Sequence, residues 1–239
     1  MATDELEALL VVQQHDTALD RLRHRRATLP ERAEAAARAG EREEREKVRA
    51  AVAADRDAVA GDERRLDQES ATLGAHAAEV DTKLYSGTVT SPRELQAMQA
   101  DLEMLRRQIS EIEDRELAVM EQREALDAAL AEHDAAIAAT TVEIDRLSGL
   151  IAEAEGAIDA EIAEETDRRE MHVAAVSAKL LADYETRRAR NKGAGAARLI
   201  GATCGACHLS IPASEAEEIR RGGGGAAAYC DNCGAILVP

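Results

Sequence analysis

From Leu95 onward, one stripe of positions recurs at alternating three- and four-residue steps. It runs Leu95, Met98, Leu102, Leu105, Ile109, Ile112, Glu116, Val119, Arg123, Leu126, Leu130, His133, Ile137, Thr140, Ile144, Leu147, Ile151, Ala154, Ile158, Glu161. Fifteen of these twenty positions are apolar. A heptad sustained over this length predicts coiled coil. After Ile158 the phase slips by one, to Ile162, Val173, Val176 and Leu180, in the manner of a stutter. The helix is expected to continue to about Arg190. Its start is marked by Ser91-Pro92-Arg93-Glu94, which reads as a capping box with Pro at the first helical position.

A second helical stretch is predicted upstream, from about Asp4 to Leu84. Val52, Val59, Leu66, Leu73 and Val80 recur every seven residues, and Leu19, Leu22 and Leu29 extend a stripe toward the N-terminus. Pro30 removes a backbone donor, so a kink or break is expected there. Between the helices, Tyr85-Ser86-Gly87-Thr88-Val89-Thr90 reads as a short loop. Short loops favour antiparallel neighbours. If paired positions sum to 178, five apolar pairs align together, from Val80 with Met98 to Val52 with Leu126. That register also brings Arg123 to Asp55, but sets Glu116 near Asp62. The rival arrangement is a dimer of extended helices.

Composition narrows the fold class. The 239 residues include no Phe, no Trp and three Tyr, while Ala occurs 51 times. Ala is the best helix former and buries little surface. Aromatics supply much of an ordinary core, so a large α/β enzyme or a β sandwich is excluded. The fold class is mainly α: a long antiparallel coiled-coil helical hairpin over residues 1–190, with its tip loop at about 85–91, then a small C-terminal domain over 191–239 that carries all four Cys.

The formal charge is −17, and it is unevenly spread. Residues 1–183 carry 23 Lys+Arg against 42 Asp+Glu, a balance of −19, and residues 184–239 carry seven against five. An acidic rod repels nucleic acid, so any such contact is confined to a local basic patch. No stretch approaches the roughly 20 apolar residues of a membrane span. The start, Met1-Ala2-Thr3-Asp4-Glu5, lacks the basic n-region of a signal peptide. These features predict a soluble, cytoplasmic protein with no membrane partner.

All four Cys lie in the last 36 residues, as Cys204-Gly205-Ala206-Cys207 and Cys230-Asp231-Asn232-Cys233. Each C-x2-C can turn two thiolates toward one ion, and two such turns complete a tetrahedral site of four sulfurs. Soft ligands in that geometry favour one structural Zn2+ per chain. A dithiol redox pair or an iron–sulfur centre is the competing use of the same residues. The spacer holds a short helix, Ser214 to Arg221, and a flexible run, Gly222 to Gly225. Arg198-Leu199-Ile200 and Ala235-Ile236-Leu237-Val238 read as ribbon strands. Gly193-Ala194-Gly195-Ala196-Ala197 lacks the Lys-Ser/Thr of a phosphate loop and reads as a linker. His208 is expected in a strand rather than as a ligand, and His133 as a packed residue of the coiled-coil seam. No acidic pair or catalytic triad is present, and a closed four-Cys site offers no open position to a substrate. No enzyme and no small-molecule substrate are therefore expected.

The tip Tyr85-Ser86-Gly87-Thr88, the following Ser91-Pro92-Arg93-Glu94-Leu95-Gln96 and the cysteine pattern ending Cys233-Gly234-Ala235-Ile236-Leu237 together resemble the bacterial C4-type zinc-ribbon proteins with an N-terminal coiled coil. The resemblance covers essentially the whole chain. It implies an elongated helical hairpin, one structural zinc, no catalysis, and a role in binding nucleic acid or transcription-related proteins. Where family members commonly carry Arg after the last Cys-Gly, this chain has Ala235.

Two function classes follow. In the first, nucleic acid, RNA or DNA, is bound at the C-terminal end by the basic neck Arg187, Arg188, Arg190, Lys192 and Arg198, with Tyr184 and Tyr229 near enough to stack on a base. Three to five phosphate contacts predict a log–log salt slope of roughly −2 to −4. A further basic cluster, Arg21, Arg23, Arg25 and Arg26, lies near the Pro30 kink. In the second, a protein partner docks on the acidic coiled coil and its tip, with Tyr85 and Val89 as apolar anchors.

Overall fold

The computed structural model describes residues 3–221 and 227–239. Residues 1–2 and 222–226, which take in the run Gly222 to Gly225, lie outside them. The elements are α1 (Thr3–Ala27), α2 (Pro30–Tyr85), α3 (Pro92–Val173), α4 (Ala178–Arg190), β1 (Ala196–Ile200), β2 (Thr203–Cys204), α5 (Ala213–Arg220), β3 (Ala228–Tyr229) and β4 (Ile236–Val238). The break expected at Pro30 is present, and Pro30 becomes the first residue of α2, where its missing N–H costs nothing. Two compact units form, one of Glu34–Arg146 and one of Met1–Ala33 with Leu147–Pro239.

The first unit is the coiled-coil hairpin of α2 and α3. Every position of the α3 stripe except Glu161 is buried or half-buried, and so are the five α2 positions from Val52 to Val80. Near the loop, Val80, Leu84, Leu102 and Leu105 form a closed cluster flanked by Leu73, Ala77, Leu95 and Met98. The arms therefore pair within one chain. The register differs from the one that the apolar stripes suggest. The inter-arm ion pairs Arg49–Asp134, Arg56–Asp127, Arg123–Glu63 and Arg106–Asp81 have numbers summing to 183, 183, 186 and 187, about one heptad beyond 178. A strict seven-residue repeat matches itself after sliding by seven, so the stripe alone does not select the register. The charges do: Arg123 meets Glu63 rather than Asp55. At the start of α3, the Ser91 carbonyl accepts from Glu94 and Leu95 N–H. The reciprocal side-chain bonds of a capping box are absent among the described residues.

The second unit gathers α1, the C-terminal part of α3, α4 and the ribbon. Here the helix does not run unbroken to Arg190. It stops at Val173 and restarts at Ala178, with Ala175 and Val176 N–H turning to tighter bonds on His172 and Val173 carbonyls. No Pro or Gly marks this break. Packing makes it: Val176, Leu180 and Tyr184 turn into one core with Leu9, Leu10 and Val12 of α1. Glu5 fastens the new start by accepting the Ser177 N–H at 2.8 Å.

The strands order as β2-β1-β4-β3, with β1 and β4 parallel at the centre. Alternate residues serve two cores. Ala196, Ile236 and Val238 face the helices, while Ala197, Leu199 and Leu237 face the cysteines, Ile211 and Ala216. Burial on both faces explains why Ile236-Leu237-Val238 is apolar throughout. Only part of the segment 193–197 is a linker, since β1 starts at Ala196. Ala196 and Ala197 are strand, and a Cβ on Gly195 would come within 2.5 Å of the Tyr184 ring.

Candidate metal centre and basic neck

The two cysteine pairs sit on knuckles with the same hydrogen-bond pattern. In the first, His208 N–H donates to the Cys204 carbonyl at 2.9 Å, and Cys204 N–H donates to the Leu209 carbonyl at 3.1 Å. In the second, Gly234 N–H donates to Cys230 at 2.7 Å, and Cys230 N–H donates to Ala235 at 2.9 Å. Both turns require positive φ four residues after the first Cys: +74° at Gly234 and +60° at His208. Glycine meets this demand without strain, and His208 meets it at a cost. His208 is thus a turn residue rather than a strand residue, and it lies outside the cysteine cluster.

The four sulfurs converge within 4.8 Å of one another. Cys204 and Cys233 sulfurs are 3.8 Å apart, and those of Cys207 and Cys230 are 3.7 Å apart. Tetrahedral zinc with Zn–S near 2.3 Å sets sulfurs about 3.8 Å apart, so the donor set fits the ion. Burial pushes the Cys204 thiol above its usual range and the Cys233 thiol up to about 12. The Leu209 N–H holds the Cys207 thiol below its usual range. Four thiolates in so small a space require a cation, and Cys204, Cys207, Cys230 and Cys233 would hold one zinc as a structural cross-link.

The basic neck is brought to this end of the chain, and three of its five cations are spoken for. Arg187 donates to Asp183 at 3.0 Å and to the Gly234 carbonyl at 2.7 Å, with its guanidinium 3.7 Å over the Tyr229 ring. Ala235 is fully buried, so the cation beside the second knuckle comes from α4 instead. Arg188 donates to Asp20 at 2.6 Å. Arg198 donates to Glu7 and to the Pro239 carbonyl. That bond holds the Glu7 carboxyl below its usual range. Arg190 and Lys192 are exposed and have no ion-pair partner among the described residues. Tyr184 is not available to stack on a base: it is fully buried, and its hydroxyl donates to Asp16 at 2.6 Å. Burial raises its pKa further, so it stays a donor.

Two buried polar residues of α1 hold this end together and were not singled out in the sequence. Asp16, 3% exposed, accepts two bonds from Arg169, at 2.9 and 3.2 Å, beside the one from Tyr184. The Gln13 side-chain carbonyl accepts from Gly195 and Ala196 N–H, and its amide donates to the Gly193 carbonyl at 2.8 Å. The signal lies in the spacing. Leu9, Val12, Asp16 and Leu19 share one helical face, so Asp16 stands where an apolar residue is expected.

At the tip, Tyr85 is 77% exposed and Val89 is half-buried. The loop between them is tied by Ser86, whose hydroxyl lies 2.8 Å from the Lys83 carbonyl and 2.6 Å from the Thr88 hydroxyl. Among the described residues no helix is long and apolar enough to cross a membrane.

A family model, the CT398-like coiled coil hairpin domain, matches residues 12–192, and a C4-type zinc ribbon domain matches residues 203–237. An uncharacterized protein of Mycobacterium tuberculosis is 29% identical over 231 residues, which cover 97% of this chain and 94% of that one. A solved Mycobacterium smegmatis structure superposes with a TM-score of 0.88 at 25% identity, over 99% and 98% of the two chains. CT398 from Chlamydia trachomatis has the same fold, with a TM-score of 0.74 at 14% identity over 98% and 97%.

Proposed function

The chain belongs to the family of CT398-like coiled-coil hairpin proteins, and from that premise we propose that it is a non-enzymatic adaptor that docks a protein partner at the hairpin tip. The carrying observation is Tyr85. Of three aromatic side chains in 239 residues, one is sealed in the core, one lies beneath Arg187, and this one is 77% exposed. An exposed Tyr at the last residue of α2, beside a tied loop, offers large contact area at low ordering cost. The closed four-cysteine site supports the non-catalytic part of the reading, since a structural site keeps no open position. Four cysteines used for metal rather than disulfides suit a reducing, cytoplasmic setting.

A photo-crosslinking residue at position 85, used in cells, is expected to give a discrete protein adduct that Val89→Asp abolishes. A nucleic-acid adduct at position 190, with none at 85, would overturn the adaptor reading.

Nucleic acid at the neck is the second reading, favoured by the two unpaired cations Arg190 and Lys192. With Arg187, Arg188 and Arg198 engaged internally, the salt slope expected on single strands is only roughly −1.5, from two phosphates.

A further inference from the structure

We propose that a cleft between α1 and the neck loop is an anion site that takes a phosphate group. The cleft, of about 450 Å³, brings Arg21 and His24 of α1 against Lys192, some 170 positions later in the chain. Arg21, His24 and Lys192 have no ion-pair partner among the described residues. The one carboxylate on the wall, Asp20, is already neutralised, with one oxygen taken by Arg23 and the other by Arg188. The cleft is thus cationic, within a chain of net charge −17.

The backbone supplies the second observation. Lys192 has φ +47°, a left-handed conformation that is unfavourable for a residue with a side chain. Gly193 beside it has φ +100°. The loop is locked in that state by Gly193 N–H on the Arg188 carbonyl, by the Asn191 amide on the Ala194 carbonyl, and by the buried Gln13 amide on the Gly193 carbonyl. Glycine would suit position 192 better on conformational grounds alone. A strained, rigidly held lysine with a free ammonium, facing an arginine and a histidine, has the geometry of an anion clamp. Thr17 is not a ligand here, because its hydroxyl already donates to the Gln13 carbonyl.

The test is calorimetric titration of the zinc-loaded full chain at low ionic strength with three probes: inorganic phosphate, ADP and a single-stranded oligonucleotide. Saturable binding with one site per chain is expected. Arg21→Gln and Lys192→Gln should each weaken it about tenfold, as befits loss of one charge-assisted contact. Lys179→Gln, at the far end of α4, should leave it unchanged. Lys192→Gly removes the ammonium while relieving the backbone, so a loss of binding in that variant is not a folding defect. Binding of phosphate or ADP assigns the group to a free ligand, and binding of the oligonucleotide alone assigns it to a nucleic-acid backbone. No saturable binding of any probe, or undiminished binding in both Arg21 and Lys192 variants, overturns the proposal.

Discussion

Between Glu34 and Arg146 the two arms meet along periodic apolar stripes, and their charges pair at the surface. In the other unit a handful of buried polar groups each hold several elements: Asp16 joins α1 to α3 and α4, and Gln13 joins α1 to the neck loop and β1. The difference concerns specificity. A repeating stripe stabilises many alignments almost equally, and exposed ion pairs choose among them at little energetic gain. A buried carboxylate with three partners accepts one arrangement only, because any other leaves a charge unpaired in a dry site. The hairpin is therefore tolerant, and the helical base with its ribbon is demanding.

The largest expected effect that would sharpen this contrast is at the metal. Cys230→Ser should release zinc and unfold the ribbon, since metal binding supplies on the order of 10 kcal/mol of folding free energy in such sites. Helicity by circular dichroism should be nearly unchanged. Full zinc retention by elemental analysis would break the assignment.

Next comes Asp16→Asn, which leaves Arg169 and Arg188 facing an uncharged amide. A loss of about 3 kcal/mol is expected from denaturant unfolding. Amide exchange should show it confined to the unit that contains α1. A uniform loss across both units would mean that they are not energetically distinct.

A smaller change of opposite sign is expected at His208→Gly. It relieves the left-handed strain of the first knuckle and makes it match the second. The gain is about 0.5–1 kcal/mol, read as a several-fold tighter zinc affinity in chelator competition. No gain would mean that the side chain of His208 contributes elsewhere.

The smallest effect belongs to Arg56→Ala, which removes the exposed pair with Asp127. The melting temperature should not move measurably, and a drop comparable to that of Asp16→Asn would erase the contrast between the units.

What was legible in the chain follows the same division. The coiled coil was readable because period is a property of neighbouring residues, and the zinc site because two C-x2-C pairs encode their own geometry. The register was not, since sliding by seven residues again sets apolar against apolar at four of the five pairs. The break after Val173 was invisible because Ala174 and Ala175 are good helix formers, and only the distant core of Leu9, Leu10 and Val12 turns the chain there. The same distance hid the partners of Arg188, Arg198 and Tyr184. Their carboxylates, Asp20, Glu7 and Asp16, lie more than 160 positions away along the chain.

That separation has a consequence during synthesis. The apolar face of α1 is completed by Ile236 and Val238, which leave the ribosome more than 220 residues after Leu9 and Val12. At about 5–20 residues per second, the interval is roughly 10–45 s. The hairpin can close within that time, because its arms are translated consecutively. Leu9, Leu10 and Val12 must wait with part of their face uncovered until β4 is made, so the nascent chain carries an aggregation-prone apolar face through that interval. Slowed elongation or stalling before β4 should therefore raise misassembly far more than the same delay placed within α3.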